Sequence, residues 1–263
     1  MQRKNIMEYK QGLLLTIGKG DSMSSAASRK RAKTKKNEEA IKNIKTGLRI
    51  KDVGPKTENQ RLTFEAFEDG QNILLHGLAG TGKSFIGLYL ALEEVLNGEV
   101  FDKVLLVRST VPTRDLGFLP GNEKEKTAPY EAPYYGICTE LFQRGDAYEV
   151  LKKHNLLDFM STSFLRGITL NNCIMIIEEI QNMTFQEIDS LITRLGDNTQ
   201  LILNGDFRQS DFRFEDDKKG MIDIMSILDE MNSFTHIEFG IDDIVRSGFV
   251  KEYIIAKANK GFG

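Results

Sequence analysis

The sequence predicts an α/β fold: a parallel sheet with helices on both faces. Three observations lead there. Short, continuously apolar runs of strand length recur at residues 72–76, 104–107, 173–177 and 201–203, without the alternation that a sheet with one wet face would show. Helix-patterned stretches alternate with these runs. A glycine-rich octapeptide lies between the first run and the helix after it, where the backbone must turn tightly. A chain of 263 residues, 40% hydrophobic and 28% charged, suits one large globular domain and excludes a fully disordered protein.

The elements follow in order. Thr57-Glu58-Asn59-Gln60 reads as a capping box, the Thr57 hydroxyl and the Gln60 side chain each satisfying the other's backbone. Leu62, Phe64 and Phe67 then share a helical face, and Gly70 can end the helix. Residues 72–76 form the first strand. Residues 85–97 are helical, with apolar side chains at 85, 86, 88, 90, 92, 95 and 96 and Gly98 past the end. A buried strand at 104–107 precedes residues 111–145, whose proline, glycine and tyrosine content predicts irregular structure. The pattern resumes with a strand at 173–177 and a helix at 184–195, which has its own capping box (Thr184, Glu187) and Gly196 after it. A strand at 201–203, a helix at 221–231, a strand at 235–239 and a helix at 249–257 complete the chain. No internal repeat is present.

The net charge of −3 hides an asymmetry. Residues 1–52 carry 14 Lys/Arg against 5 Asp/Glu, whereas the rest of the chain carries 21 against 33. The excess peaks at residues 29–36, RKRAKTKK, behind a small, polar stretch at 22–28. This divides the chain into a basic arm, 1–52, and a folded domain, 53–263. The arm is either a phosphate-binding segment for nucleic acid or a solvated tail. No apolar run approaches the ~18 residues of a membrane span, and the leucines at 13–15 are too few for a signal peptide. Cys138 and Cys173 are too few for a disulfide framework, and Cys173 opens an apolar run as a small core residue, so a cytoplasmic location is expected.

Two motifs carry chemistry. Gly77-Leu78-Ala79-Gly80-Thr81-Gly82-Lys83-Ser84 matches the phosphate-loop pattern, with a strand before it and a helix after it. The glycines let successive N–H groups turn inward onto phosphate oxygens, and the helix directs its positive end at the same anion. Lys83 would place a point charge at the β/γ-phosphates of ATP, and Ser84 a hydroxyl on Mg²⁺. Glu178-Glu179 directly follow the strand at 173–177. Carboxylates at the carboxyl end of a buried strand are costly unless a cation neutralises them. Glu178 would hold Mg²⁺, directly or through its water shell, and Glu179 would polarise the attacking water. The alternative for this pair is an exposed loop opening a helix.

With these residues in place the chain resembles the PhoH-like family of P-loop ATPases, whose RecA-like core is similar to the first motor domain of superfamily 1 helicases. The resemblance rests on GLAGTGKS (77–84), LGFLPGNEKEKTAPYEAPYY (116–135), FLRGITLNN (164–172), IIEEIQNMTFQEIDSLITRLG (176–196), LNGDFRQSD (203–211) and DDIVRSGFV (242–250). It implies that Gly205, Asp206 and Gln209 sense the γ-phosphate, that Arg246 serves as an arginine finger, and that Gln60 hydrogen-bonds the adenine edge, a role that competes with its capping role. Arg108 and Arg166 would face nucleic acid or a neighbouring subunit, or act as plain surface ion-pair residues. The sequence departs from the family pattern at Glu178, where Asp is usual, at Ser247, where His is common, and at Ile168, where a second Arg often stands.

About fifty residues follow the sensor block, too few for a second motor domain of ~150. A partner surface for the nucleotide would then come from another copy, in a homo-oligomeric ring, six-membered by resemblance. The expected function is Mg-dependent ATP binding and hydrolysis coupled to binding or remodelling of RNA or single-stranded DNA, away from membranes. The alternative is a nucleotide-gated nucleic-acid-binding module with little turnover. A small-molecule kinase is disfavoured by the helicase-like GDFRQ block and by the lack of a lid with paired arginines.

Overall fold

The computed structural model describes residues 46–109, 123–162, 165, 169–206 and 215–260. Arg166 and Gln209 lie outside the described residues, as does most of the basic arm. In chain order the elements are α1 (Glu58–Glu68), β1 (Asn72–Gly77), α2 (Lys83–Asn97), β2 (Lys103–Arg108), α3 (Glu123–Phe142), α4 (Ala147–Lys153), β3 (Leu157–Ser161), β4 (Cys173–Glu178), α5 (Phe185–Ile192), β5 (Thr199–Gly205), α6 (Glu215–Asp229), β6 (Phe234–Phe239) and α7 (Gly248–Asn259). The strands form one sheet in the order β3-β2-β4-β5-β1-β6, with every pairing parallel.

The apolar runs are continuous because the sheet is covered on both faces. Ile73 and Leu75 of β1, Val104 and Leu106 of β2, Ile174 and Ile176 of β4 and Ile202 of β5 enter one core with α1–α4. The intervening Leu74, Leu105, Val107, Met175, Ile177, Leu201 and Leu203 enter the other, with α5 and α6. This is the period-2 alternation of strand side chains, apolar on each side. Both cysteines are free thiols buried in these cores, as expected of Cys173.

Three findings depart from the sequence reading. Much of the stretch expected to be irregular is the helix α3, which contains Pro129 and Pro133. Tyr134, Cys138, Leu141 and Phe142 bury a stripe at helical spacing against the sheet, while both prolines face solvent. That packing outweighs a proline cost of ~3 kcal/mol in a helix interior. The strand β3, unforeseen, alternates buried Leu157 and Phe159 with partly exposed Asp158 and Met160, as suits the sheet edge. The folded body also takes in residues at the end of the basic segment: Leu48 is buried in the core and Lys51 N–H donates to the Leu141 carbonyl. Among the described residues no helix is long and apolar enough to cross a membrane.

Candidate nucleotide site

Parallel strands place all their carboxyl ends on one edge, so segments distant in sequence meet there. The glycine loop leaves β1, Glu178 ends β4, Gly205 and Asp206 end β5, and Val245-Arg246 follow β6. They line one cleft of about 730 Å³ together with Gln60, Gln181 and Asn204. Of the loop residues, Ala79 through Ser84 line it, while Gly77 and Leu78 form its base against β6.

The loop's conformation explains its glycines. Gly77 has φ +109°, and a Cβ there would sit 2.2 Å from the Phe239 carbonyl oxygen, so β6 can approach only a glycine. Gly82, the N-cap of α2, is left-handed at φ +87°. Buried Thr81 closes the turn by donating its hydroxyl to the Leu78 carbonyl at 2.9 Å. Lys83 folds back over the loop, its Nζ donating to the carbonyls of Gly77 and Leu78, each at 2.8 Å. Burial lowers the Lys83 pKa, and the opposing charges of Asp206, Glu178 and Glu179 pull it back up.

Gln60 makes one half of the expected capping box. Its N–H donates to the Thr57 hydroxyl at 3.3 Å, but its side chain does not return to the Thr57 backbone. Instead Oε1 accepts from Lys56 N–H at 2.8 Å and Nε2 donates to the Thr81 carbonyl at 3.0 Å, which ties α1 to the phosphate loop. On α5 the complete Thr184–Glu187 box is present.

Glu178 is fully buried. Its Oε2 accepts from the Ser84 hydroxyl at 2.8 Å and its Oε1 from Asn204 Nδ2 at 2.9 Å. Desolvation raises its pKa above the ordinary carboxylate value, against the lowering effect of these two hydrogen bonds. The remaining Asn204 oxygen, Oδ1, is buried with no hydrogen-bond partner. A buried carboxylate, a hydroxyl and an orphaned amide oxygen fit a hydrated divalent cation, whose waters can donate to the amide. Among the described residues no cluster of three His, Cys, Asp or Glu stands ready to cage a metal. Mg²⁺ takes one or two protein ligands and completes its shell with phosphate and water, and Ser84 and Glu178 could supply those ligands.

Glu179 is neither helical nor extended: it is left-handed, φ 56° and ψ 44°. For a residue with a Cβ that conformation costs ~1–2 kcal/mol and persists only where surrounding contacts hold it. Its Oε2 accepts from Gln181 Nε2, and its Oε1 lies 3.9 Å from the Arg108 guanidinium. Gln181 also accepts from Asp206 N–H at 3.0 Å, which joins the acidic pair to the end of β5. Arg246 belongs to this same chain's cleft. Its Cγ is 3.0 Å from where a Gly80 Cβ would sit, and Val245 N–H donates to the Gly80 carbonyl at 3.2 Å.

The family model for PhoH-like proteins matches residues 52–257. The chain belongs to the PhoH-like family. It is 31% identical over 220 residues to a PhoH-like protein of Bacillus subtilis, a match that covers 83% of this chain and 67% of the relative. It is 30% identical over 203 residues to Protein PhoH of Escherichia coli, covering 76% and 57%. Among solved structures, the large terminase of a thermophilic bacteriophage in complex with ADP is a distant likeness at 15% identity and TM-score 0.44, covering 76% of this chain and 49% of that one.

Asn204 and Gln181 are the residues of this PhoH-like site that sequence reading left out. Each is a polar side chain inside a recognised block, but the bond that ties it across the site, Asn204 to Glu178 and Gln181 to Asp206 N–H, spans about 25 residues. The burial of Glu178 carries a stability prediction. Its pKa is higher in the folded than in the unfolded chain, so its contribution to stability is full below about pH 4.5 and is lost as pH rises through the folded value. Glu178→Gln should therefore raise the Tm of the ligand-free protein at pH 7, by roughly 2–4 °C for each kcal/mol gained, with the gain fading in acid. Thermal unfolding at pH 4 and pH 7 checks it.

Proposed function

We propose that this chain binds ATP in the carboxyl-edge cleft and hydrolyses it with Mg²⁺, coupled to binding or remodelling of RNA or single-stranded DNA. The observation that carries the reading is the Ser84–Glu178 hydrogen bond at the mouth of a complete phosphate loop, with Asn204 bonded to the same carboxylate and its Oδ1 left without a partner. Of the loop Gly77–Ser84, Ala79 through Ser84 would bind the phosphates through their N–H groups, the Lys83 ammonium and the N-terminus of α2, while Gly77 and Leu78 hold the loop's base to β6. Ser84 and Glu178 would hold Mg²⁺, which neutralises charge on the β- and γ-phosphates when bound. Glu179 takes a proton from water as the water oxygen bonds to the γ-phosphorus and the bond to the ADP oxygen breaks. Arg246 steadies the charge on the γ-phosphoryl oxygens. Gln209, beyond the described residues, is assigned to γ-phosphate sensing, and Gln60 to the adenine edge by exchanging its present backbone partners.

The basic residues before Thr46 are assigned to an arm that adds phosphate contacts, and the ATPase domain takes in Leu48 and Lys51 ahead of the expected boundary at 53. The assembly we infer is a homo-oligomeric ring of six copies. The number six rests on the family resemblance; exposed Phe249 (81%) and Tyr253 (64%) on α7 offer an apolar surface for a contact between copies. Two buried free thiols support a reducing, cytoplasmic setting. A second reading, a nucleotide-gated nucleic-acid-binding module with little turnover, is favoured by Glu179, both of whose oxygens already have partners.

ATP turnover with and without single-stranded RNA and DNA, together with mass in solution, tests the assignment. Turnover that rises with a strand, from a ring-sized particle, is the expected result. Tight ATP binding without turnover would select the second reading, and no nucleotide binding would reject both.

A further inference from the structure

Arg108 ends β2, and the parallel register places it level with Glu178 on the neighbouring β4. Glu179 lines the nucleotide cleft, and Arg108 approaches it from β2. The guanidinium lies 3.9 Å from Glu179 Oε1, stands near enough to the buried Tyr134 hydroxyl to oppose the rise of its pKa, and is 5.6 Å from the centre of the Tyr130 ring. Both tyrosines belong to α3, and Tyr134 is buried in the core, so the arginine is held on a rigid shelf. Its side chain still keeps 24% of its surface exposed. From the other side Gln181 occupies Glu179 Oε2. At 3.9 Å the Arg108 contact is an ion pair without a hydrogen bond, so with 42% of the Glu179 side chain exposed it biases where Oε1 points rather than blocking it.

We propose that Arg108 is a positioning residue that restrains Glu179 in the strand-free protein and releases it when a phosphodiester of bound nucleic acid takes the guanidinium. This rests on the ATPase reading above. A planar guanidinium matches a phosphate oxygen pair better than a single carboxylate oxygen at 3.9 Å, so a strand phosphate at the exposed side of Arg108 competes effectively. The phosphates of ATP are a second candidate competitor, and the dependence of turnover on added strand tells the two apart. The release frees Glu179 Oε1 toward water and thereby links strand binding to hydrolysis. A partly exposed pair at this separation is a weak restraint, equivalent to about two- to five-fold in rate.

The test compares wild type, Arg108→Ala, Arg108→Lys, Tyr134→Phe and the double variant Arg108→Ala/Glu179→Gln, each with and without oligo(dT) and oligo(rU). Arg108→Ala is expected to raise basal kcat about two- to five-fold with KM for ATP unchanged, and to lose further stimulation by either strand. Arg108→Lys keeps part of both behaviours. Tyr134→Phe, which loosens the arginine's anchor and keeps the ring, moves the same way by less and carries the test should Arg108→Ala not fold. The double variant is inactive, which ties the gain to Glu179. A basal kcat at or below wild type in Arg108→Ala, or strand stimulation in that variant equal to wild type, overturns the restraint. A wild type that hydrolyses ATP without strand stimulation overturns it too. A wild type that does not hydrolyse ATP instead overturns the ATPase reading on which the restraint rests.

Discussion

Alanine in place of Lys83 is expected to bring ATP turnover to background and to weaken nucleotide binding steeply. The Lys83 ammonium holds the Gly77 and Leu78 carbonyls in the ligand-free protein, and these bonds can be exchanged for phosphate oxygens. A hydrogen bond to a charged group contributes ~1.5–3 kcal/mol, so removing each bond from the ammonium to a phosphate weakens binding roughly 10- to 150-fold. The loop itself should persist, because Gly77 packs against β6 and Thr81 bonds to Leu78 without help from the lysine. Calorimetric titration of ATP into Lys83→Ala, beside its circular dichroism spectrum, separates the two effects. Wild-type affinity would remove Lys83 from the phosphate site.

The second large effect is at Arg246. A finger arginine is worth ~10³–10⁵ in rate, and Arg246→Ala should lose a factor in that range while ATP still binds. The side chain already lies against Gly80 of its own phosphate loop, so it is expected to act within one chain. Mixing Arg246→Ala with Lys83→Ala should then recover no turnover. Recovery would mean that the arginine crosses to a neighbour, since only a mixed interface pairs an intact Lys83 cleft with an intact Arg246.

The parts of the site legible in the sequence are those whose chemistry is local. The phosphate loop is eight consecutive residues, the acidic pair closes its own strand, and Thr184 with Glu187 caps its own helix. The parts that were hidden depend on partners far along the chain. Gln60 reads as a cap or an adenine contact, and neither reading shows that the Thr81 carbonyl, 21 residues on, takes its amide. Arg108 reads as facing nucleic acid, a neighbouring subunit or a surface ion pair until the β2–β4 register sets it beside the acidic pair. Helix α3 was obscured by its two prolines, since local propensity weighs against a helix that tertiary packing sustains.

The position of β1 has a further consequence, for how the molecule comes to exist. Its sheet neighbours are β5 and β6, both synthesised long afterwards; Leu201 N–H reaches the Asn72 side chain across 129 residues of chain. On a ribosome adding ~5–20 residues per second, the apolar Ile73-Leu74-Leu75 segment waits several seconds for either partner. Such long-range parallel pairing is intrinsically slow, and the waiting strand is open to wrong partners. The strand that carries the phosphate loop is therefore among the last to be secured, and chains truncated before β5 would present it bare, as a seed for aggregation.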